Sequence, residues 1–339
     1  MPTFDPHATH ARLLASAPRA LAFDPTRDFD EWRSRVRAVL SESVGVMPDR
    51  QPLNLRIEYE REHAEFLERR FVFAVEEDAD VPAHLLLPRV GSGPFPVVIC
   101  LQGHSTGMHI SLGRPKFPRD EESIQGDRDF AIQAVRQGYA ALALEQRCFG
   151  ERKDDRLPEV RSFTHVCQHS TMVALLLGRT MIGERVWDVS RAIDALEQFG
   201  EVDARRIACM GNSGGGTVTY YATCLEPRIG AAMPSCSICT YRDSIGAIDH
   251  CADNYLPGIL RYCEMGDLAG LIAPRPLVVV AGREDRIFPI HAVEETFATI
   301  RQIYLAAGAS EKCTLVVGDG GHRFYASPAW PEFRRITGW

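Results

Sequence analysis

The chain has 339 residues, 45% of them hydrophobic and 24% charged, a balance that excludes disordered and fibrous classes and is enough for a large buried core. Its formal charge of −7, from 45 acidic against 38 basic residues and with no basic patch, argues against nucleic-acid and anionic-membrane partners. No apolar run approaches the roughly 18 residues of a spanning helix, Met172 to Leu177 being the best. Asp5, Arg12, Pro18 and Arg19 surround a Leu13-Leu14-Ala15 stretch too short for a secretion signal, so a cytoplasmic location is expected.

Residues 1–52 read as a helical arm or cap, with Trp32, Val36 and Val39 on one face of a helix over Asp30 to Leu40. From residue 53 the period falls to two, as in Leu55-Ile57-Tyr59 and Phe71-Phe73-Val75, until Pro88 stops Leu85-Leu86-Leu87; this is an antiparallel entry into a sheet. After Gly91-Ser92-Gly93-Pro94 short continuous apolar runs alternate with helical stretches, the pattern of strands buried on both faces of a parallel sheet. The runs are Val97 to Leu101, Ala140 to Leu144, Ile207 to Met210, Ala231 to Met233, Leu277 to Ala281 and Thr314 to Val317. Helical stripes fall at Val186, Val189, Ile193 and Leu196, and at Val293, Phe297, Ile300 and Tyr304. Right-handed crossovers then give one α/β domain over 53–339, a mostly parallel twisted sheet with helices on both faces. Glu151 to Arg156 reads as a solvated charge run, and residues around 235–268 as an insertion that covers a pocket.

The chemistry concentrates in Gly211-Asn212-Ser213-Gly214-Gly215, a G-x-S-x-G between a strand and a helix. Such a turn lifts a serine hydroxyl above the sheet, and the helix N-terminus offers free N–H groups to a developing oxyanion. A serine needs a histidine base and an orienting acid, in chain order serine, acid, histidine. Asp285 follows the run ending at Ala281, with Glu284 its rival, and His322 follows the run ending at Val317; they lie 72 and then 37 positions on. A helix-capping or surface acid and a core-satisfied histidine are the plain alternatives. His7, His10, His63, His250 and His291 do not follow a late strand. Gly214 would supply one oxyanion N–H and His104, behind the run Val97 to Leu101, the other; alternatively His104 merely lines the pocket.

Ten cysteines without a secretion signal read as reduced core thiols. Cys236 and Cys239 have C-x-x-C spacing and His165, Cys167 and His169 alternate, but neither group is followed by a second matched pair. No metal and no cofactor are expected.

Leu101-Gln102-Gly103-His104, Gly211 to Gly215, Gly282 to Asp285 with Phe288-Pro289, and Gly321-His322 together resemble the α/β-hydrolase superfamily, more narrowly its acetyl xylan esterase-like and dienelactone hydrolase-like branches. Glu145 to Arg152 is similar to the D-x-R-G-x-G turn of those esterases, and His250 to Leu256 with Leu271 to Pro276 to a bacterial hydrolase subfamily. The resemblance spans about residues 85–325 and implies an α/β-hydrolase fold with a Ser213, Asp285, His322 triad acting on an ester or related acyl substrate. Gln102 stands where those esterases commonly have His, and Cys148 where Gly is usual, departures that bear on the acyl group rather than the triad. The expectation is a serine esterase acting on a small-molecule ester such as an acetylated sugar or other acylated metabolite. Gly103, Arg147, Tyr241 and Tyr255 are expected at the substrate, and a homo-oligomer stays open. The rivals are a peptidase or amidase with the same triad, a non-catalytic binding module, and a metal or thiol enzyme using Cys236, Cys239, His165 or His169.

Overall fold

The computed structural model describes residues 4–154 and 167–339, so His165 and the last two positions of the 151–156 charge run lie outside the described residues. Nine strands, β1 (Arg56–Glu62), β2 (Phe66–Glu76), β3 (Ala79–Pro88), β4 (Phe95–Leu101), β5 (Ala140–Leu144), β6 (Val202–Asn212), β7 (Ile229–Ser235), β8 (Leu277–Gly282) and β9 (Cys313–Gly318), form one sheet in the order β1-β2-β3-β5-β4-β6-β7-β8-β9. β1 to β3 are antiparallel and β3 joins β5 antiparallel; from β5 through β9 every pairing is parallel. Each continuous apolar run has become a parallel strand, and each alternating segment an antiparallel one. This is the α/β-hydrolase fold.

The helices are α1 (Pro6–Ala15), α2 (Phe29–Ser43), α3 (Pro118–Ser123), α4 (Phe130–Arg136), α5 (Gln168–Leu176), α6 (Met181–Leu196), α7 (Gly214–Leu225), α8 (Ile290–Ala306) and α9 (Ala326–Thr337). Side chains alternate across a strand, so each central strand feeds two cores. Val97, Ile99 and Leu101 of β4 pack with residues of α2, α6, α7 and α8, whereas Val98 and Cys100 pack with Phe130, Ala134, Trp330 and Phe333 of α4 and α9. The continuous hydrophobicity of these strands thus records two packed faces.

At the antiparallel edge β1 carries Arg56, Glu58, Glu60 and Glu62, nearly all exposed. Arg56 pairs with Asp80, Glu58 with Arg70 and Glu60 with Arg69, at 2.6–2.9 Å.

The N-terminal helix α2 shares the larger core: Trp32, Val36 and Leu40 are buried there, and Val39 packs against it from the rim. The Trp32 indole lies where a Cβ on Gly270 would stand 2.4 Å from it, and its Nε1 donates to the Leu21 carbonyl at 2.9 Å. Trp32→Ala should therefore cost about 3–5 kcal/mol of stability, read by urea unfolding.

Candidate active site

β4 and β6 lie side by side in parallel, Leu101 opposite Gly211, so the loops leaving their carboxyl ends emerge together. Beyond β6, Ser213 takes φ 58° and ψ −129°, a conformation that costs a non-glycine residue about 1–3 kcal/mol, and α7 starts at the next residue. The turn fits only because the glycines are bare. A Cβ on Gly215 would lie 2.1 Å from the Leu101 carbonyl oxygen, and one on Gly103 2.5 Å from the Asn212 oxygen and 2.8 Å from Ser213 Cβ. The same Gly103 position is 3.3 Å from the Gly214 nitrogen, so the Gly103-His104 backbone abuts the first N–H of α7. The structure thus brings Gly103, His104, Ser213 and Gly214 to one place.

The loops after β8 and β9 meet each other, and His322 lines one cleft with His104. His322 Nδ1 is 2.8 Å from Asp285 Oδ2, while Asp285 Oδ1 accepts the N–H groups of Ile287 at 2.8 Å and Phe288 at 3.2 Å. Asp285 is buried and Glu284 exposed, which separates the two rival acids. Burial pushes the Asp285 carboxyl up, but the His322 hydrogen bond and charge, with the two N–H groups, outweigh it and hold the group below the usual aspartate value. Phe288 stacks on the His322 ring at 5.9 Å, interplanar angle 14°. With Nδ1–H donated to Asp285, Nε2 of the neutral ring is left as acceptor.

A cleft of about 560 Å³ opens along this edge, lined among others by His104, Arg119, Arg128, Gly321, His322 and Arg323. Its volume is that of a small-molecule site. His104 has a side-chain role that its backbone reading did not contain. Nε2 is 3.0 Å from Asp253, a buried carboxylate that Arg185 also contacts at 2.6 Å. Burial works against a charged imidazole, but the Asp253 carboxylate prevails and pushes His104 up to about 10. Asp253 comes from the segment around 235–268. That segment also places Asn254, which accepts from Thr217 of α7 at 2.9 Å.

Of the expected substrate contacts, Arg147 and Tyr241 are engaged within the protein, and Tyr255 has its hydroxyl engaged while its ring is exposed. Arg147 lies in an ion-pair network with Asp188, Glu76 and Glu184, at 2.6–3.2 Å, because three carboxylates outcompete an aqueous pocket for a buried guanidinium. Tyr241 is buried in the larger core, its hydroxyl hydrogen-bonded to that of Tyr221. Tyr255, half-exposed, spends its hydroxyl on the Ile245 carbonyl at 2.8 Å. Cys148, where Gly is usual, has φ 72°, which explains that usual residue. Gln102, where His is usual, donates Nε2 to Ser111 Oγ at 2.6 Å and to the Arg128 carbonyl at 2.7 Å.

All ten cysteines are free, and Cys236 and Cys239 are buried. Among the described residues, two sets bring ligand atoms within 4.8 Å of one another: His104, Cys167 and Asp253, and Cys236, Asp285 and His322. In both the carboxylate already holds cations or N–H donors, and burial pushes the Cys236 thiol up to about 12, so the donor chemistry favours the hydrogen-bonded arrangement over a metal. No helix among the described residues is long and apolar enough to cross a membrane.

The model of the Abhydrolase family matches residues 10–302. A Bacillus subtilis (strain 168) protein named "Putative hydrolase YtaP" is 25% identical over 293 residues, which are 86% of this chain and 94% of that protein. Among solved structures, one described as a putative acetyl xylan esterase from Bacteroides fragilis NCTC 9343 superposes with a TM-score of 0.74 at 14% identity, covering 99% of this chain and 90% of the other. A glucuronoyl esterase from Solibacter usitatus gives 0.69 at 17%, covering 94% and 96%. At these identities the two structures speak for the fold.

The His104–Asp253 pair generates a stability prediction with a definite sign. Its contribution is whole below the ordinary histidine value of 6.5 and is lost as pH rises through about 10. Asp253→Asn strands the Arg185 cation in the interior and leaves burial to strip His104 of its proton, and should cost about 3–5 kcal/mol at neutral pH. Urea unfolding at neutral and at alkaline pH should show that penalty shrinking as His104 loses its proton.

Proposed function

Because the chain belongs to the Abhydrolase family, we propose that it is a serine hydrolase that cleaves a small carboxylic ester through an acyl-enzyme. The observation that carries this reading is the 2.8 Å His322–Asp285 hydrogen bond together with a serine at φ 58° at the N-cap of α7. A serine is held in that conformation at a stability cost, and chemistry at an elevated hydroxyl accounts for it. The esterase descriptions of the two solved structures agree with an ester as the bond cleaved. An acetylated sugar or another acylated metabolite is of a size for the cleft.

In this mechanism Ser213 Oγ attacks the ester carbonyl while its proton passes to His322 Nε2. Asp285, kept ionised, fixes the imidazole with Nδ1–H inward and stabilises the imidazolium as it forms. The N–H groups of Gly214 and His104 receive the oxyanion, and the charged His104 ring adds a favourable field close to Gly214. His322 returns the proton to the leaving alcohol, and a water activated by the same ring then releases the acid and frees Ser213.

A fluorophosphonate probe read by intact mass tests the assignment. Wild type should take up one equivalent and Ser213→Ala none; folded wild type that stays unlabelled rules the serine reading out. Asp285→Asn should keep the fold yet lower kcat for a 4-nitrophenyl ester about 10⁴-fold, the loss expected when the histidine adopts the wrong tautomer.

A further inference from the structure

The protein carries a formal charge of −7, yet its cleft is lined by His104, Arg119, Arg128, His322 and Arg323 against two acids, Asp120 and Glu122. One of those acids is spent locally: Asp120 accepts from the Thr106 hydroxyl, from His109 at 2.8 Å, and from the N–H groups of Lys116 and Phe117 at 2.9 Å. Glu122 is exposed, where water screens it. Arg323 is offset by Asp127 at 2.9 Å.

Arg128 has no such partner. Among the described residues it makes no ion pair, and its guanidinium meets neutral oxygens: Nη2 donates to the His322 carbonyl at 3.1 Å and lies 3.3 Å from the Asn212 amide oxygen in the orientation that satisfies that side chain. Burial pulls its pKa down, and the more distant Glu122 and Asp285 carboxylates offset that only in part, with Arg323 opposing them. Its backbone is fixed from the opposite side by Gln102 of the loop that bears His104. Asp253, which His104 contacts, is also held by Arg185, one carboxylate between two cations. A guanidinium that lines the cleft without an ion pair of its own gains from a ligand that supplies an anion in contact, and its planar donors suit a carboxylate.

We propose that this cleft binds a carboxylate on Arg128, and that the substrate is therefore an ester that also carries a free carboxylate group. The inference rests on the hydrolase reading for its reaction and on Arg128 alone for its anion site.

The test uses two pairs of esters matched in length: monomethyl glutarate against methyl pentanoate, with the charge on the acyl side, and 4-acetoxybutanoate against butyl acetate, with the charge on the alcohol side. Hydrolysis is followed by proton release with wild type, Arg128→Gln and Arg128→Lys. Wild type should favour the charged member of one pair by roughly 10- to 100-fold in kcat/KM, the value of one charge-assisted hydrogen-bonded contact, expressed mainly in KM and reduced by added salt. The pair that shows the preference identifies the side of the ester bearing the carboxylate. Arg128→Gln should bring the charged-to-neutral ratio close to one and Arg128→Lys should retain part of it. Equal rates within both wild-type pairs, or an Arg128→Gln loss shared equally by charged and neutral esters, would overturn the inference and leave Arg128 as a prop for the His322 carbonyl.

Calorimetry with glutarate reads the anion site without turnover: binding to wild type that Arg128→Gln abolishes supports it, and no binding to wild type overturns it. Phosphonate labelling separates the two readings. Labelled protein without charge preference loses only the anion site, whereas unlabelled protein that binds glutarate through Arg128 keeps that site and loses the serine mechanism.

Discussion

Ser213 occupies a left-handed backbone conformation that side chains avoid, and the neighbourhood is arranged around keeping it there. The turn is clamped between the end of β4 and the start of α7, with Gly215 against the Leu101 carbonyl and Gly103 against Asn212 and Ser213. Because β4 and β6 are hydrogen-bonded neighbours, the clamp is made of sheet backbone rather than mobile side chains. The same contact sets the Gly103-His104 backbone against the first free N–H of α7. The strained residue and the groups that could stabilise an oxyanion therefore come from a single packing event.

The parallel strands were legible in the sequence because Val97 to Leu101 and Leu277 to Ala281 are apolar throughout, both faces meeting a core. The alternation of Phe71, Phe73 and Val75 marked an antiparallel strand correctly, although Val72 and Ala74 between them are buried as well. The places of Ser213, Asp285 and His322 were legible for a related reason: each stands just past such a run, at a carboxyl end of the sheet. Tyr241 and Arg147 misled for lack of partner information. An aromatic in an insertion and an arginine in a turn look alike whether they face a pocket, a core or three carboxylates.

What was not legible is the electrostatics around His104. Asp253 lies 149 positions from it and 68 from Arg185, in a segment without periodicity, and only the folded chain brings the three together. Arg128 carries no local signal either, since it sits in an ordinary polar stretch and owes its isolation to neighbours from the ends of β6 and β9. Composition gives a net charge of −7, which says nothing of the sign inside a cleft. Long-range pairing of charges is a property of tertiary structure, and a linear reading averages over it.

The outer strand β1 has a consequence for how copies of the protein can meet. A sheet edge presents unpaired N–H and C=O groups that invite another strand, and here that edge is fringed by Arg56, Glu58, Glu60 and Glu62. All four are already paired, with Asp80, Arg70, Arg69 and Arg89 of the same chain, so an incoming copy would have to break ion pairs and desolvate the charges before gaining any hydrogen bonds. The antiparallel hairpins that open the domain thus act as a terminus for the sheet, blunting this edge against strand addition.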